Sequence, residues 1–283
     1  MYIRRHIYLG SILLAINCQL VDSILRRFIR EEIQKVGMHR LVLGLSGGLD
    51  SAVAAFLAAN ALGGEHVHAL IMPYRESNPE SKEHALILAE KAKISYEIKD
   101  ISAMVDAFFK GAENVSVIRK GNKMARERMC LLYDYSAAHS ALVLGTSNKT
   151  ELLLGYGTIH GDLASAINPI GDLYKTQVKQ LAEYLDIPRV IIEKAPSADL
   201  WIGQTDEEEL GYSYEELDQF LYYLIDLRYS DELLLGAGYT EKTIHDIKAM
   251  IQKNQFKRRP PVIAKLSNRT INQDFRYCRD WGY

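Results

Sequence analysis

The sequence predicts a doubly wound, Rossmann-like α/β fold, a parallel sheet with helices on both faces, and three observations carry that expectation. Short apolar runs rich in Val and Leu recur through the first half, the stretches between them repeat with helical period, and each run passes directly into polar, loop-forming residues. In such sheets ligands sit beyond the carboxyl ends of the strands.

Each element has a local reason. Val21, Ile24, Leu25, Phe28, Ile29 and Ile33 recur at three- and four-residue spacing, so a leading helix should run to about Gly37, a residue suited to the turn after a helix. Residues 41–45 form the first strand, a helix opens at Ser51, and residues 67–72 form the second strand, closed by Pro73. Residues 80–92 read as a helix, 95–99 as the third strand, 101–109 and 123–139 as helices, and 141–145 as a further strand. After Gly155 the pattern becomes irregular until a helix at 174–185. Residues 194–211 carry several turn formers and four consecutive acids, Asp206 to Glu209, and are expected to be a mobile surface segment. Residues 214–227 and 241–255 read as closing helices. There is no internal repeat.

At 283 residues and 48% hydrophobic, the chain can bury the core of one α/β domain. A leading segment, residues 1–20, precedes that single domain over 21–283. Arg4, Arg5 and His6 followed by an apolar run imitate a secretory signal, but the run is too short to span a bilayer. It reads better as an extension of the first helix or an early start, so a cytoplasmic protein with no membrane partner is expected. Lys+Arg 34 against Asp+Glu 36 leaves no general attraction to nucleic acid, and Lys257-Arg258-Arg259 reads as a solvated loop. Three widely spaced cysteines, with no C-x-x-C pair, exclude a zinc or dithiol site and fit a reducing compartment.

The chemistry concentrates after the first strand, in Gly44-Leu45-Ser46-Gly47-Gly48-Leu49-Asp50-Ser51. Glycines let the backbone approach an anion, and the free amides and dipole of the next helix favour phosphate there. Asp50 would repel a bare phosphate, so a magnesium ion must accompany it. The absence of lysine excludes the Walker loop. A merely capped turn would explain Ser46 and Asp50 singly but not the whole run. The later strand end adds Thr146 and Glu151, and Asp162 follows soon after; of these, the acids Glu151 and Asp162 are placed to share the magnesium with Asp50.

The Ser-Gly-Gly-x-Asp-Ser loop resembles that of the ATP pyrophosphatases, which split ATP between the α and β phosphates. Further pieces make the chain similar to ammonia-dependent NAD synthetases: Lys120-Gly121-Asn122, Ala125-Arg126, Arg128-Met129, Gly145-Thr146-Ser147-Asn148-Lys149 with Glu151, Gly161-Asp162, Asn168-Pro169-Ile170-Gly171 with Lys175-Thr176, Pro196-Ser197-Ala198-Asp199-Leu200, and Asp206-Glu207 with Leu210-Gly211. The resemblance spans residues 40–260 and implies amidation of deamido-NAD by ammonia, with ATP leaving as AMP and pyrophosphate through an adenylated intermediate. It implies that the loop Gly44 to Ser51, with Thr146, Lys175 and Ser197, binds ATP, and that Asp50 and Glu151 hold magnesium. Lys175 would meet the pyrophosphate and Asp162 the ammonia, while Asn122, Arg126, Tyr133 and Lys257 would contact deamido-NAD. A homodimer with this site at the subunit boundary is implied as well. Some family members carry a lysine and an aspartate where this chain has Ile159 and Ala166. No glutaminase domain precedes the match, so free ammonia, or ammonia delivered by a separate protein, is the expected nitrogen source. Competing readings are another ATP pyrophosphatase, of the GMP-synthetase or tRNA-thiolating kind, and a nucleotide sensor without turnover.

Overall fold

The computed structural model describes residues 14–197, 203 and 205–271. The chain runs α1 (Cys18–Lys35), β1 (Arg40–Gly44), α2 (Leu49–Leu62), β2 (Val67–Ile71), α3 (Pro79–Ala92), β3 (Ser95–Ile98), α4 (Ser102–Phe109), α5 (Val117–His139) and β4 (Ala141–Val143). It continues through α6 (Lys149–Leu154), α7 (Lys175–Tyr184), α8 (Arg189–Ile192), α9 (Asp206–Leu210), α10 (Tyr214–Leu221), α11 (Asp231–Gly236) and α12 (Glu241–Lys253).

The strands pair in parallel in the order β3-β2-β1-β4. Alternation along them decides which helices cover which face. Leu41, Leu43, Val67, Ala69 and Ile71 point into one core with α1, α2, α3 and α7, whereas Val42, Leu70 and Val143 point into another with α4 and α5. In α2 every residue from Ser51 to Ala58 is buried, and its alanines allow close approach to the sheet. From β1 the chain winds outward through β2 to β3, then returns to place β4 on the other side of β1. The loops after β1 and β4 therefore part above a topological switch point, where the crevice opens. A short bridge, Leu144 to Ile167, extends the β4 edge.

A third core, around Leu217, Phe220, Leu221, Leu234 and Ile247, joins α10, α11 and α12 to Leu154 of α6. No helix among the described residues is long and apolar enough to cross a membrane.

Sequence reading located these strands within one or two residues, and Gly37 turns left-handed after α1 as its composition suggests (φ 67°). Its departures have physical causes. The long helix α5 starts at Val117, because Ser116 accepts the Arg119 amide at 3.3 Å and caps it. The helix after Tyr214 changes to a π turn over Tyr222–Asp226, and α8 and α11 had no strong periodic signal. The acids after Thr205 do not form a mobile surface loop: Asp206 and Leu210 are buried in α9. Residues 198–202 and 204 of that expected loop lie outside the described residues, as do residues 1–13. Leu14 is buried, and its carbonyl accepts from Gln177 and Gln180 of α7 at 3.3 and 3.2 Å, so the segment entering α1 is docked on the domain.

Gly47 fixes how α3 approaches the β1–α2 loop. Its φ is 78°, and a methyl group there would stand 2.1 Å from the carbonyl oxygen of Ser81. Gly47→Ala therefore combines left-handed strain with displacement of α3, a cost of about 2–3 kcal/mol. Thermal unfolding should show a midpoint lowered by roughly 5–10 °C, and an unchanged midpoint would contradict this packing.

Candidate active site

The loop after β1 is held open by its own serines. Ser51 Oγ donates to the Gly48 carbonyl (3.0 Å) and lies 3.0 Å from Ser46 Oγ, which accepts the Gly48 amide (3.3 Å). Helix α2 begins after Gly48 with no side-chain cap. Its first amides thus remain available to an anion at the mouth of the crevice.

Three helix N-termini meet here, each bringing one charge. Asp50 comes from the first turn of α2, Glu151 from that of α6, and Lys175 opens α7. The Lys175 ammonium hydrogen-bonds Asp50 and lies 3.7 Å from Glu151, with side-chain exposures of 8% for the lysine and 16% for each acid. Asn148, fully buried, ties the acids together: its amide donates to Asp50 Oδ1 at 3.0 Å and its oxygen accepts the Glu151 amide at 3.0 Å. The Asn148 amide in turn donates to Glu151 Oε2 (3.3 Å), completing a capping box. Burial, and then the nearby Asp50 charge, push the Glu151 carboxyl upward against the opposing pull of Lys175. Burial alone would lower the Lys175 ammonium, but Asp50 and Glu151 together raise it, so it stays charged.

The backbone of Lys175 is fixed from the third core. Its amide donates to Thr150 Oγ1 at 3.1 Å, that hydroxyl donates to the fully buried Asp218, and Asp218 also accepts the Thr176 amide at 2.7 Å. Behind the ammonium lies the Tyr214 ring, 5.1 Å from Nζ to its centroid.

Around this cluster is a cleft of about 1600 Å³. It is lined by the loop from Gly44 to Ser51, apart from the inward-turned Gly47, and by Thr146, Glu151, Asp162, Lys175 and Ser197, which the fold thereby brings together. Asp162 opens into the cleft with its side chain exposed there, accepts the Thr158 amide at 2.9 Å, and has its carboxyl raised by desolvation against the surrounding walls. Asn122 faces the same space and accepts from Thr158 Oγ1 at 2.7 Å.

Helix α5 presents Asn122, Ala125, Arg128, Met129 and Leu132 to the cleft. Arg126 and Tyr133 stand outside that lining: Arg126 is exposed with Nε donating to the Ile159 carbonyl (3.3 Å), and Tyr133 is 39% exposed. Each lies a fraction of a turn from the cleft-facing stripe, a rotation that residue spacing alone does not resolve. At the two departures only main-chain groups pair, the Ile159 carbonyl with Arg126 and the Ala166 amide with the Val143 carbonyl at 2.9 Å.

Lys257 lies behind the cleft wall, donating to the carbonyls of Gly155 and Gly157 at 2.7 and 3.0 Å. Arg258 donates to the carbonyls of Leu152 and Leu153. This corrects the expected solvated loop: two of its three basic residues satisfy the carbonyls at and just beyond the end of α6. Sequence reading quoted Arg128, Asn148 and Asp206 only as pieces of the resemblance and gave no role to them or to Tyr156 and Tyr214, although Arg128, Tyr156, Asp206 and Tyr214 line the cleft. Of these, Asn148 alone had a readable local signal, an Asn three residues before Glu151.

Asp218 supplies a pH test of the support beneath Lys175. Burial raises its carboxyl to about 6 from 3.8, so the fold binds its proton more tightly than the unfolded chain does. Its stabilising contribution is complete below the lower value and lost as pH rises through the upper one, a difference of about 3 kcal/mol. In thermal unfolding from about pH 4 to pH 7, the margin of the parent over Asp218→Asn should shrink until about pH 6 and then level off. A margin that widens over that range would overturn the assignment.

Comparison with known proteins agrees with this geometry. The NAD synthase family profile matches residues 21–261. A curated NH(3)-dependent NAD(+) synthetase of Trichlorobacter lovleyi is 57% identical over 269 residues, covering 95% of this chain and 98% of that protein. Among solved structures, an NH3-dependent NAD synthetase from Campylobacter jejuni superposes with a TM-score of 0.76 at 41% identity, covering 89% of this chain and 100% of the other. An NMN synthetase from Francisella tularensis superposes with a TM-score of 0.78 at 33% identity, covering 88% and 99%. With an open glycine loop feeding a buried acid–lysine–acid cluster, and these relatives matching nearly end to end, the chain belongs to the NAD synthase family.

Proposed function

We propose that the chain joins ammonia to the nicotinate carboxyl of deamido-NAD, with ATP leaving as AMP and pyrophosphate. The observation that carries this reading is the buried Lys175 ammonium between Asp50 and Glu151, directly beside the uncapped amides of α2. The cleft of about 1600 Å³ exceeds the roughly 300–1,000 Å³ of an ordinary single-ligand pocket and suits two nucleotides together.

In the first step a nicotinate oxygen attacks the α-phosphorus, and the bond to the β-phosphate breaks with its electron pair leaving on pyrophosphate. Ser46, Gly48, Leu49 and Ser51 present the loop to the phosphates, and Lys175 faces the charge that develops on the leaving group. Thr146 and Ser197, which also line the cleft, would hold the nucleotide. Asp50 and Glu151 fit a magnesium ion as oxygen donors, because two poorly hydrated carboxylates beside a phosphate site favour a hard cation. When bound, that ion neutralises the triphosphate. In the second step the ammonia lone pair attacks the acyl carbon and the bond to AMP breaks. Asp162, which opens into the cleft, takes the proton released by the new C–N bond.

Asn122 and Arg128, which line the cleft, would contact the acceptor, and Lys257 pins the Gly155–Gly157 turn behind it. Arg126 and Tyr133 join the deamido-NAD site in a homodimer whose boundary follows the exposed side of α5. The reaction takes place in the cytoplasm on freely diffusing ammonia.

Incubation with ATP, magnesium and ammonium, offering deamido-NAD, nicotinate mononucleotide or xanthosine monophosphate, tests the reading. NAD should form with one AMP per product from the first acceptor alone. Amidation of the mononucleotide, the substrate class suggested by the Francisella relative's name, or of the xanthosine nucleotide would replace it, and no AMP with any acceptor would leave a sensor. Lys175→Ala should lower kcat by about 10²-fold or more, as loss of a group aimed at developing charge does. Asp50→Asn should likewise cut adenylation and raise the magnesium concentration needed for half-maximal rate, and undiminished adenylation would remove the metal role from this residue.

A further inference from the structure

Asp206 is buried at 4% exposure in a wall of the cleft, although it opens a run of four acids. Its two carboxylate oxygens are taken by tyrosines from different parts of the chain. Tyr156, just past α6, shares its hydroxyl proton between Oδ1 at 2.9 Å and Glu209 Oε2 at 2.6 Å, and Tyr214, the first residue of α10, donates to Oδ2 at 3.1 Å. The Asp206 amide donates to the Pro196 carbonyl at 3.0 Å, immediately before Ser197. Tyr214 is the ring that faces the Lys175 ammonium.

We propose that Asp206 is a positioning residue for Lys175, acting through Tyr214. A phenol that donates to a carboxylate is fixed in rotation about its ring axis and carries a more electron-rich ring, which strengthens attraction of the ring face for a cation. Asp50 and Glu151 hold the ammonium from the front, and the Asp206–Tyr214 pair holds it from behind. Without that backing, the ammonium gains freedom to follow Asp50 away from the phosphate side of the cleft. The same carboxylate ties the Tyr156 end of α6 to the Pro196 carbonyl, so the Lys175 wall and the Ser197 wall keep one spacing.

This inference rests on the reading of Lys175 as the residue facing pyrophosphate, and its test separates the two. Magnesium pyrophosphate binding is measured by calorimetry for the parent, Asp206→Asn, Lys175→Ala and the double variant, which requires no choice of acceptor. Asp206→Asn should weaken binding about tenfold in the parent and less than about twofold when Lys175 is already alanine, the non-additivity expected of residues acting through one group. If Asp206→Asn unfolds, Tyr214→Phe, which keeps the ring and removes only the hydroxyl, replaces it in the same cycle with the same expectation. Native affinity in the Asp206 variant, or an equal loss in both backgrounds, overturns the positioning role. A Lys175→Ala variant that binds pyrophosphate as the parent does overturns the reading of Lys175 itself, and this inference with it.

Discussion

The buried ammonium of Lys175 is the interaction on which the site depends. Removing a charge from water costs several kcal/mol after relaxation, and the two acids beside it would repel each other if it were absent. A lysine as the first residue of a helix also opposes the helix dipole, whereas Asp50 and Glu151, in the first turns of α2 and α6, are favoured by theirs. The geometry therefore spends stability to keep a cation at this point. Its compensation comes from Asp50 and Glu151 at the ammonium and from Thr150 and Asp218 at the backbone.

That requirement explains why the C-terminal helices belong to the site although they supply little of its surface. α10 delivers Asp218 and Tyr214, and the residues at and after the end of α12 supply Asn254, Lys257 and Arg258 to the terminal carbonyls of α6. A six-residue helix is too short to hold itself in place. Its orientation, and so that of Glu151, is imposed by caps at both ends: Asn148 at the start and side chains about a hundred residues later at the finish.

Much of the sheet and its first loop was legible because their causes are local. The runs that became β1, β2 and β4 are apolar on both sides apart from His68, as suits strands covered on two faces, and the Ser-Gly-Gly turn uses residues chosen for backbone freedom and free amides. The start of α5 was misplaced by six residues, since a Gly and two basic residues in its first turns dilute the apolar period while Ser116 alone sets the cap. The same helix showed the limit of spacing arguments. Arg126 and Tyr133 share a stripe with Asn122 and Met129, but the cleft is centred on the neighbouring stripe that holds Ala125, Arg128 and Leu132.

Lys175 was named only through the family resemblance; from its order of residues alone, the chain determined an α/β sheet, a phosphate loop at the end of its first strand, and acids able to serve a metal-bound nucleotide. These follow from periodicity and from hydrogen bonding within a few residues, which neighbouring side chains settle. Tertiary structure alone decided which charges are solvated. Asp206 to Glu209 and Lys257 to Arg259 look equally like surface runs, yet Asp206 finds Tyr156 fifty residues away, and Lys257 finds its carbonyls a hundred residues or more away. A charge is buried only where the fold supplies its partner, and that partner's distance along the chain leaves no mark in local composition.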